Sequence, residues 1–162
     1  MHSGTASFLR KVRNPVLFGF FLFRKLPAAW FSGVRIRSLS ESECRVSVPF
    51  NWFSQNPFRS TYFACLSMAA ELSTGALAML HLYGRRPSVS MLVVKLESEF
   101  FKKATSRTVF TCEDGLHLHQ AIEEATRSGE ARSVQVRTVG RNAAGETIAA
   151  FRITWSFKSK SS

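Results

Sequence analysis

The sequence has 162 residues, 45% of them hydrophobic and 15 of them Phe, so a disordered chain is excluded and one domain with a substantial core is expected. The net charge is +11 at pH 7, and the first 37 residues contain no acid but seven basic residues, which are Arg10, Lys11, Arg13, Arg24, Lys25, Arg35 and Arg37. This end of the chain favours anionic partners, but the basic residues match no nucleic-acid recognition motif, so no nucleic-acid partner is expected.

Residues 5–31 form a basic, Phe-rich segment that Pro15 and Pro27 should divide into short helices. The favoured interpretation is a helical lid packed on the domain, and the alternative is a helix lying on a membrane surface. A signal peptide is disfavoured because Arg24 and Lys25 stand where small residues and a cleavage site would be expected. The chain is accordingly divided into this segment at 1–30, one domain at 31–158 and a tail at 159–162.

Alternating apolar and polar residues at 34–37 and 45–50 predict a first hairpin, with a turn at 40–43. A loop follows at 51–59. The next stretch, from Ser60 to about Tyr83, lacks proline and is rich in Ala, Leu and Met, so one long helix is expected, with Ser60 or Thr61 as its N-cap. Its apolar residues surround the whole helix, which is typical of a helix enclosed by other structure.

The long helix is too polar for a membrane span, and its one carboxylate, Glu71, is the anomaly in an otherwise apolar stretch. Strand patterns follow at 89–96 and 99–104, read as one long bent strand, and at 108–111, 134–139 and 148–157. A helix at 116–127, capped by Asp114 and closed by Gly129, lies between the strands at 108–111 and 134–139. The predicted class is α+β: a curved antiparallel sheet of five or six strands wrapped on the long helix.

Two further sets of residues carry no predicted chemistry. The cysteines, Cys44, Cys65 and Cys112, are odd in number and lack metal-ligand spacing, so free thiols filling the core are expected, in a reducing compartment such as the cytoplasm. The histidines His117 and His119 lie two apart on a helix, where side chains do not face each other, so both are interpreted as solvated surface residues. No metal site is expected.

Three local patterns resemble the hot-dog-fold thioesterases. Asn56, Tyr62 and Glu71 are spaced by six and nine positions, as are the loop amide, helix-start residue and helix carboxylate of the phenylacetate-pathway acyl-CoA thioesterases. The strand ending of residues 99–104 and the turn and strand of residues 145–152 match as well. The closing strand and the helix at 116–127 are more similar to a thioesterase-like domain family of unknown function, which is the nearer resemblance.

The resemblance implies hydrolysis of an acyl thioester, carried by coenzyme A or by an acyl carrier, at the interface of a homodimer or of a tetramer. In such enzymes the helix start polarises the carbonyl, which here assigns backbone donors to Tyr62 and Phe63, the base or nucleophile to Glu71, and the positioning amide to Asn56. In this resemblance, the phosphates of coenzyme A would be bound by Lys102, Lys103 and Arg107. Coenzyme A is part of the substrate, and no separate cofactor is implied.

Other interpretations stay open. Phenylacetate-type enzymes place His-Gly-Gly at the helix start, where this sequence has Tyr62-Phe63-Ala64, so a non-catalytic acyl- or lipid-binding protein at a membrane surface is the alternative function. Glu71 is equally compatible with a structural carboxylate paired at a helix interface. Asn56 is compatible with shaping a turn before Pro57, and the two lysines with strand-end charges.

Overall fold

Three helices open the chain in a computed structural model that describes residues 3–160. They are α1 (Ser3–Arg13), α2 (Pro15–Lys25) and α3 (Pro27–Phe31). The predicted breaks at Pro15 and Pro27 are confirmed, since each proline is in the first turn of a new helix, where its missing N–H costs nothing. The side chain of Asn14 caps α2 by accepting from the N–H groups of the next two non-proline residues, both at 3.1 Å.

The sheet has six antiparallel strands in the order β1-β2-β4-β5-β6-β3. They are β1 (Arg35–Leu39), β2 (Cys44–Val48), β3 (Val89–Phe100), β4 (Thr108–Cys112), β5 (Arg132–Arg141) and β6 (Thr147–Ser159). The stretch predicted as a bent strand is the single strand β3, and a bulge between Val93 and Lys95 interrupts its register with β6. The predicted end of this strand was wrong, since β3 stops at Phe100 and residues 101–104 belong to the following loop. The predicted α+β class and curved sheet are therefore confirmed, with six strands.

The long helix α4 (Phe63–Leu82) follows the first hairpin and is buried on nearly all sides. The prediction that this helix is too polar to span a membrane was wrong, because by length and composition it could cross one. Most of the stretch is buried inside the protein, as in any core helix. The predicted start and cap were wrong: Tyr62 is the N-cap residue and no side chain caps the helix. Ser60 and Thr61 remain in the preceding loop, where Ser60 bonds to Asn56 and Thr61 to the carbonyl of Ala104.

The second long helix, α5 (Gly115–Ser128), packs on β5, β6 and α4 through its predicted apolar stripe, Leu118, Ala121, Ile122 and Ala125. Asp114 occupies the N-cap position but makes no capping hydrogen bond. Its Oδ2 accepts instead from the backbone N–H of Arg137 at 2.7 Å, so it ties α5 to β5. Gly129 ends the helix at a φ of 71°, which glycine adopts without strain.

The cysteines are buried and free, as predicted. Cys44 and Cys112 are register partners across β2 and β4, and burial raises the pKa of both thiols, that of Cys112 to about 12. Protonated thiols are poor nucleophiles, which agrees with their place in the core. The interpretation of the histidines holds for the exposed His117 but not for His119, whose ring lies 5.1 Å from that of His81 between α5 and α4.

The N-terminal helices cover the open side of the curled sheet. Phe18 of α2 is close both to β1, beside Ile36, and to β3, beside Met91. α1 approaches the end of α4 so closely that a Cβ on Gly4 would lie 2.0 Å from the carbonyl oxygen of Tyr83. The lid interpretation thus describes the packing: Phe8 and Leu22 are buried, and α1 and α2 close the space above α4.

Candidate functional site

Glu71 lies on the face of α4 that borders an apolar cavity of about 440 Å³. The walls come from the lid, the helix and the sheet, and include Phe18, Phe21, Leu72, Met91 and Trp155. A pocket of this size and lining, with one or two polar groups, is typical of a small-ligand site. Lys25 is the other ionisable residue at its edge, and it forms no ion pair with Glu71.

The carboxylate of Glu71 makes no hydrogen bond or ion pair with any residue between 3 and 160. Desolvation by the surrounding side chains raises its pKa, since burial disfavours the charged form. Gly75, one turn further on, leaves room for the carboxylate, because a Cβ there would lie 3.1 Å from Oε1 of Glu71. A carboxylate with a raised pKa and no protein partner is a competent proton acceptor near neutral pH.

The start of α4 presents two backbone donors. Within the described residues, the N–H groups of Phe63 and Ala64 have no acceptor, as expected for the first turn of a helix. The N–H of Tyr62 is donated to the carbonyl of Ser54 at 2.7 Å. Tyr62 is therefore already engaged and does not offer the backbone donor assigned to it from the sequence. The two unpaired N–H groups at the helix start are those of Phe63 and Ala64, and not those of Tyr62 and Phe63.

A second cavity, of about 570 Å³, lies in front of this helix start. It brings together five of the seven residues singled out in the sequence: Asn56, Tyr62, Phe63, Lys102 and Lys103. Arg107 follows in the same loop but does not line the cavity. The loop is held against the helix start by Thr61, whose backbone N–H and side-chain hydroxyl both donate to the carbonyl of Ala104, at 2.8 and 3.1 Å.

Asn56 has a divided role at the mouth of this cavity. Its Oδ1 accepts from the N–H of Phe58 at 3.0 Å and from the N–H and hydroxyl of Ser60 at 3.2 Å each, so the oxygen shapes the turn. Its Nδ2 donates to no residue between 3 and 160. The turn interpretation thus accounts for the oxygen, and the amide N–H groups stay open to another acceptor.

The two lysines differ in their pairing. Lys102 forms an ion pair with Glu146 at 2.5 Å, and both side chains are about half exposed. Lys103 is exposed and has no ion pair among the described residues. An exposed ion pair contributes little free energy, so Lys102 can exchange Glu146 for another anion at small cost.

The chain does not bring Glu71 to the helix start. Eight residues separate it from Phe63, and at 1.5 Å per residue the two positions lie about 12 Å apart along α4. Glu71 borders one cavity and Phe63 the other. Ser67 lies between them on the same face of the helix, with its hydroxyl donated to the carbonyl of Phe63 at 2.9 Å. One copy of the chain therefore holds two half-sites.

β3 leaves a long apolar edge open beside these half-sites. It is hydrogen-bonded to β6 on one side only, over twelve residues. Leu96 and Phe100 pair with Ile153 and Ala149, which places them on the inner face of the sheet, yet both stay nearly half exposed. Leu92 is exposed on the other face. A long edge strand with exposed apolar residues favours pairing with another chain.

Some contributors to the site could not be recognised in the sequence. Phe18 and Phe21 were assigned to a lid, but nothing in the pattern showed that they line the same cavity as Glu71. Ala64 was missed because the helix was expected to begin three residues earlier. The hydrogen bond from Tyr62 to Ser54 is a backbone contact and has no residue-type signal at all.

Comparisons with known proteins agree with this architecture. A model of a domain of unknown function, DUF4442, matches residues 15–157. A solved Pseudomonas aeruginosa protein of unknown function, described as a probable thioesterase, is 21% identical with a TM-score of 0.76, covering 90% of this chain and 97% of that chain. A thioesterase from Haemophilus influenzae is 10% identical with a TM-score of 0.63, covering 90% and 91%.

A third solved structure, a protein of unknown function from Chlorobaculum tepidum, is 15% identical with a TM-score of 0.72 and covers 90% of this chain and 97% of that chain. A search of curated proteins finds no match. Identities this low report on the fold alone. The fold is the predicted hot-dog fold, a curved antiparallel sheet around one central helix, and it is shared with thioesterases.

Proposed function

The chain belongs to the DUF4442 family, and on that premise we propose that it hydrolyses an acyl thioester at the interface of a homodimer. The observation that carries the proposal is the carboxylate of Glu71, which lies in an apolar cavity, has a raised pKa and bonds to none of residues 3–160. Burying a charged carboxylate without a hydrogen-bond partner costs free energy. A role as general base is a reason for a protein to keep such a carboxylate in its structure.

The proposed chemistry uses the two half-sites together. Glu71 takes a proton from water as the water oxygen attacks the thioester carbonyl carbon, or attacks that carbon itself to give an anhydride that water then cleaves. The oxyanion that forms is stabilised by the N–H groups of Phe63 and Ala64 at the positive end of α4. The carbon–sulfur bond breaks, the thiolate takes up a proton, and the carboxylic acid is released.

The assembly follows from the distance between the half-sites. About 12 Å along α4 is too far for Glu71 and the helix start of one copy to act on the same carbonyl. A second copy that pairs through β3 and covers Leu96 and Phe100 would bring the partner subunit's Glu71 toward Phe63. The exposed apolar edge of β3 supports this arrangement. The mass of the protein in solution distinguishes a dimer from a tetramer formed by two such dimers.

The substrate follows from the linings of the two cavities. The aromatic and aliphatic walls around Glu71 suit an apolar acyl group. The amide of Asn56 would orient the attacking group, and Lys102 and Lys103 lie where the phosphates of coenzyme A could bind, with Arg107 further along the loop. Coenzyme A would then be a substrate portion rather than a cofactor, and a cytoplasmic site of action stays a prediction from the free cysteines.

Thiol release from a panel of short, long and aromatic acyl-CoA thioesters tests the proposal. We expect activity in the wild type and a fall of at least a hundredfold in Glu71→Gln, which keeps the shape but cannot accept the proton. Glu124→Gln, on the exposed side of α5, is the matched control and should retain activity. Equal loss in both variants, or full activity in Glu71→Gln, would contradict the role of Glu71.

A non-catalytic acyl-binding protein is the second candidate. It is favoured by the rings of Tyr62 and Phe63, which pack edge to face at 4.9 Å and occupy the helix start where small residues allow a substrate carbonyl to approach. This function predicts acyl-CoA binding by calorimetry with no thiol release from any substrate. A Phe63→Gly variant that gains hydrolysis would show that the ring blocks an otherwise complete site.

A further inference from the structure

A continuous apolar surface on the lid is left uncovered by the other residues between 3 and 160. We define the aromatic face as Val16, Phe20 and Phe23 of α2, Phe31 of α3, and Trp52 and Phe53 of the loop that follows β2. Val16 is 77% exposed and Trp52 is 76% exposed. Scattered exposed apolar residues are ordinary on a protein surface, but a contiguous patch of this kind marks an interaction site.

Four rings of the aromatic face are in contact one after another. The ring centroids of Phe23 and Phe31 lie 6.2 Å apart, those of Phe31 and Phe53 lie 6.3 Å apart, and those of Phe53 and Trp52 lie 5.0 Å apart. The surface therefore joins two consecutive helices, α2 and α3, to a loop about twenty residues further along the chain. Its continuity comes from tertiary packing and not from one amphipathic helix.

α2 is apolar on two opposite sides. Phe18 and Leu22 face inward, and Leu22 is fully buried. Val16, Phe20 and Phe23 recur at intervals of four and three residues on the outer side, so they form one stripe along the helix. A helix that only closed the cavity would need one apolar side. The second side requires a separate explanation.

The charges around the aromatic face identify its partner. The guanidinium of Arg24 lies over the ring of Phe20 at 5.8 Å, and Arg13 precedes α2 by two residues. No acidic residue occurs before Glu41. Basic side chains beside exposed Phe and Trp are the combination that binds the interface of a bilayer containing anionic lipids.

We propose that the aromatic face docks this protein on the surface of an anionic phospholipid bilayer, with the rings in the headgroup region and the basic residues against lipid phosphates. A second copy of the chain is a poorer occupant, because it would bring the same positive charges together. The exposed edge of β3 is a separate surface that carries no such excess of basic residues. The inference does not depend on hydrolytic activity.

Docking places the lid between the bilayer and the cavity of Glu71. Phe20 and Phe23 face outward, while Phe21, between them in sequence, lines the cavity. A change in the position of α2 at the membrane would therefore change the cavity wall directly.

Co-sedimentation of the full-length chain with vesicles tests docking. We expect binding to vesicles of equal parts phosphatidylglycerol and phosphatidylcholine at low salt, and at least tenfold weaker partitioning into pure phosphatidylcholine vesicles. Binding to the anionic vesicles should weaken at high salt, since the Debye length falls from about 30 Å at 0.01 M to about 3 Å at 1 M. Failure to bind anionic vesicles at low salt, or equal binding to neutral ones, overturns the proposal.

The fluorescence of Trp52 provides a measurement of docking that is independent of sedimentation. The Trp52 indole is exposed, Trp155 is buried, and Trp30 is partly buried against Phe23 and Phe31 of the same face. Transfer of the face into the headgroup region should therefore shift the emission to shorter wavelength through Trp52 and, to a smaller extent, through Trp30. Trp52→Phe with Trp30→Phe retains both aromatic groups, leaves only the buried Trp155, and should bind vesicles with the shift abolished. A shift that persists in this double variant would mean that another part of the chain inserts.

Matched variants show which residues contact the vesicle. Phe20→Ser with Phe23→Ser should lower partitioning about tenfold or more, because two apolar groups are withdrawn from the interface. Leu116→Ser, which alters an exposed leucine on α5, should leave it unchanged. Arg13→Gln with Arg24→Gln should lower binding to anionic vesicles about tenfold, against Arg127→Gln as the control.

Two outcomes would contradict the assignment of the aromatic face to a bilayer. If Phe20→Ser with Phe23→Ser converts a dimer into a monomer and leaves vesicle binding intact, the aromatic face is an interface between copies. If Leu116→Ser lowers partitioning as much as the lid variants, association is not specific to the lid. Circular dichroism melts of each variant show whether the fold is retained, and the tryptophan emission in buffer reports on the packing around Trp30 and Trp52.

Discussion

The indole N–H of Trp155 donates to the hydroxyl of Thr74 at 3.0 Å, and that hydroxyl in turn donates to the carbonyl of Glu71, also at 3.0 Å. Both side chains are buried. This pair fastens α4 to β6 at the position where Glu71 borders the apolar cavity. A tryptophan N–H inside a core needs an acceptor, so the pair also sets the rotation of α4 about its axis.

Thr74→Val should destabilise the protein by about 1–3 kcal/mol, because the shape is retained and the N–H of Trp155 loses its acceptor. In a Trp155→Phe background the same substitution should cost about 1 kcal/mol less. Urea denaturation of the four proteins in this double-mutant cycle measures the difference. A coupling energy of zero would mean that the two groups do not support each other.

Asn56→Asp separates the two uses of Asn56. The aspartate keeps an oxygen for the N–H groups of Phe58 and Ser60 but has no amide N–H, whereas Asn56→Ala removes both. We expect the melting temperature of Asn56→Asp to stay near that of the wild type while thioester hydrolysis falls at least tenfold. Asn56→Ala should lose stability as well. Retained activity in Asn56→Asp would restrict Asn56 to the turn.

Glu71→Gln should be more stable than the wild type at pH 8 and equal to it near pH 4. Desolvation raises the pKa of Glu71 in the folded state, so the folded chain holds this proton at pH values where the unfolded chain has lost it. Wild-type stability therefore falls as pH rises from the ordinary glutamate pKa through the raised one, and the glutamine has no such dependence. A gain of 1 kcal/mol would appear as about 2–4 °C in Tm.

Thermal melts of the wild type, Glu71→Gln and Glu124→Gln at several pH values provide the measurement. Glu124 lies on the exposed side of α5, so its variant should follow the wild type at each pH. If Glu71→Gln were less stable than the wild type at pH 8, the carboxylate would have a stabilising partner in solution, and the structural interpretation of Glu71 would be favoured.

Leu96→Asp should weaken the proposed dimer at least tenfold. Leu96 lies on the inner face of β3 and is nearly half exposed, so a carboxylate there is tolerated in a single copy but disfavoured in an apolar interface. Sedimentation velocity over a range of concentrations measures the change, with Leu116→Asp on α5 as the control. A solution mass that is unchanged by Leu96→Asp would place the interface elsewhere.

Two glycines should respond to alanine in opposite directions. A Cβ on Gly140 would lie 2.7 Å from ring atoms of Phe110, which is fully buried, so Gly140→Ala should cost about 1–3 kcal/mol. Gly19 lies within α2 with no atom within 4 Å of a Cβ, so Gly19→Ala should gain about 0.5–1 kcal/mol. Calorimetric melts compare both with the wild type.

Regular elements were predictable because their signals are local. The alternation in β6 and the apolar stripe of α5 depend on residues two to four positions apart, and both were confirmed. Pro15 and Pro27 restrict their own backbone, so the division of the lid into helices could also be predicted. The spacing of Asn56, Tyr62 and Glu71, with the order of the elements, carried the resemblance to hot-dog-fold thioesterases that implied the fold.

The errors occurred where distant residues compete for a local group. Asp114 was expected to cap α5, but its carboxylate accepts a hydrogen bond from the N–H of Arg137, 23 residues away. Tyr62 was expected to offer a free N–H, but Ser54 accepts it and the helix begins later than its composition suggested. His119 was assigned to solvent and packs against His81. None of these partners can be inferred from residue type or spacing.

The sequence by itself determined the type and order of the elements, the isolated carboxylate on α4 and the excess of positive charge before residue 38. Only the tertiary structure decided that α2 lines the same cavity as Glu71, that Glu71 and the helix start border different cavities, and that six apolar side chains from three segments make one surface. The physical reason is that backbone preference acts between near neighbours, whereas burial, desolvation and unpaired donors are properties of packing between segments far apart in the chain.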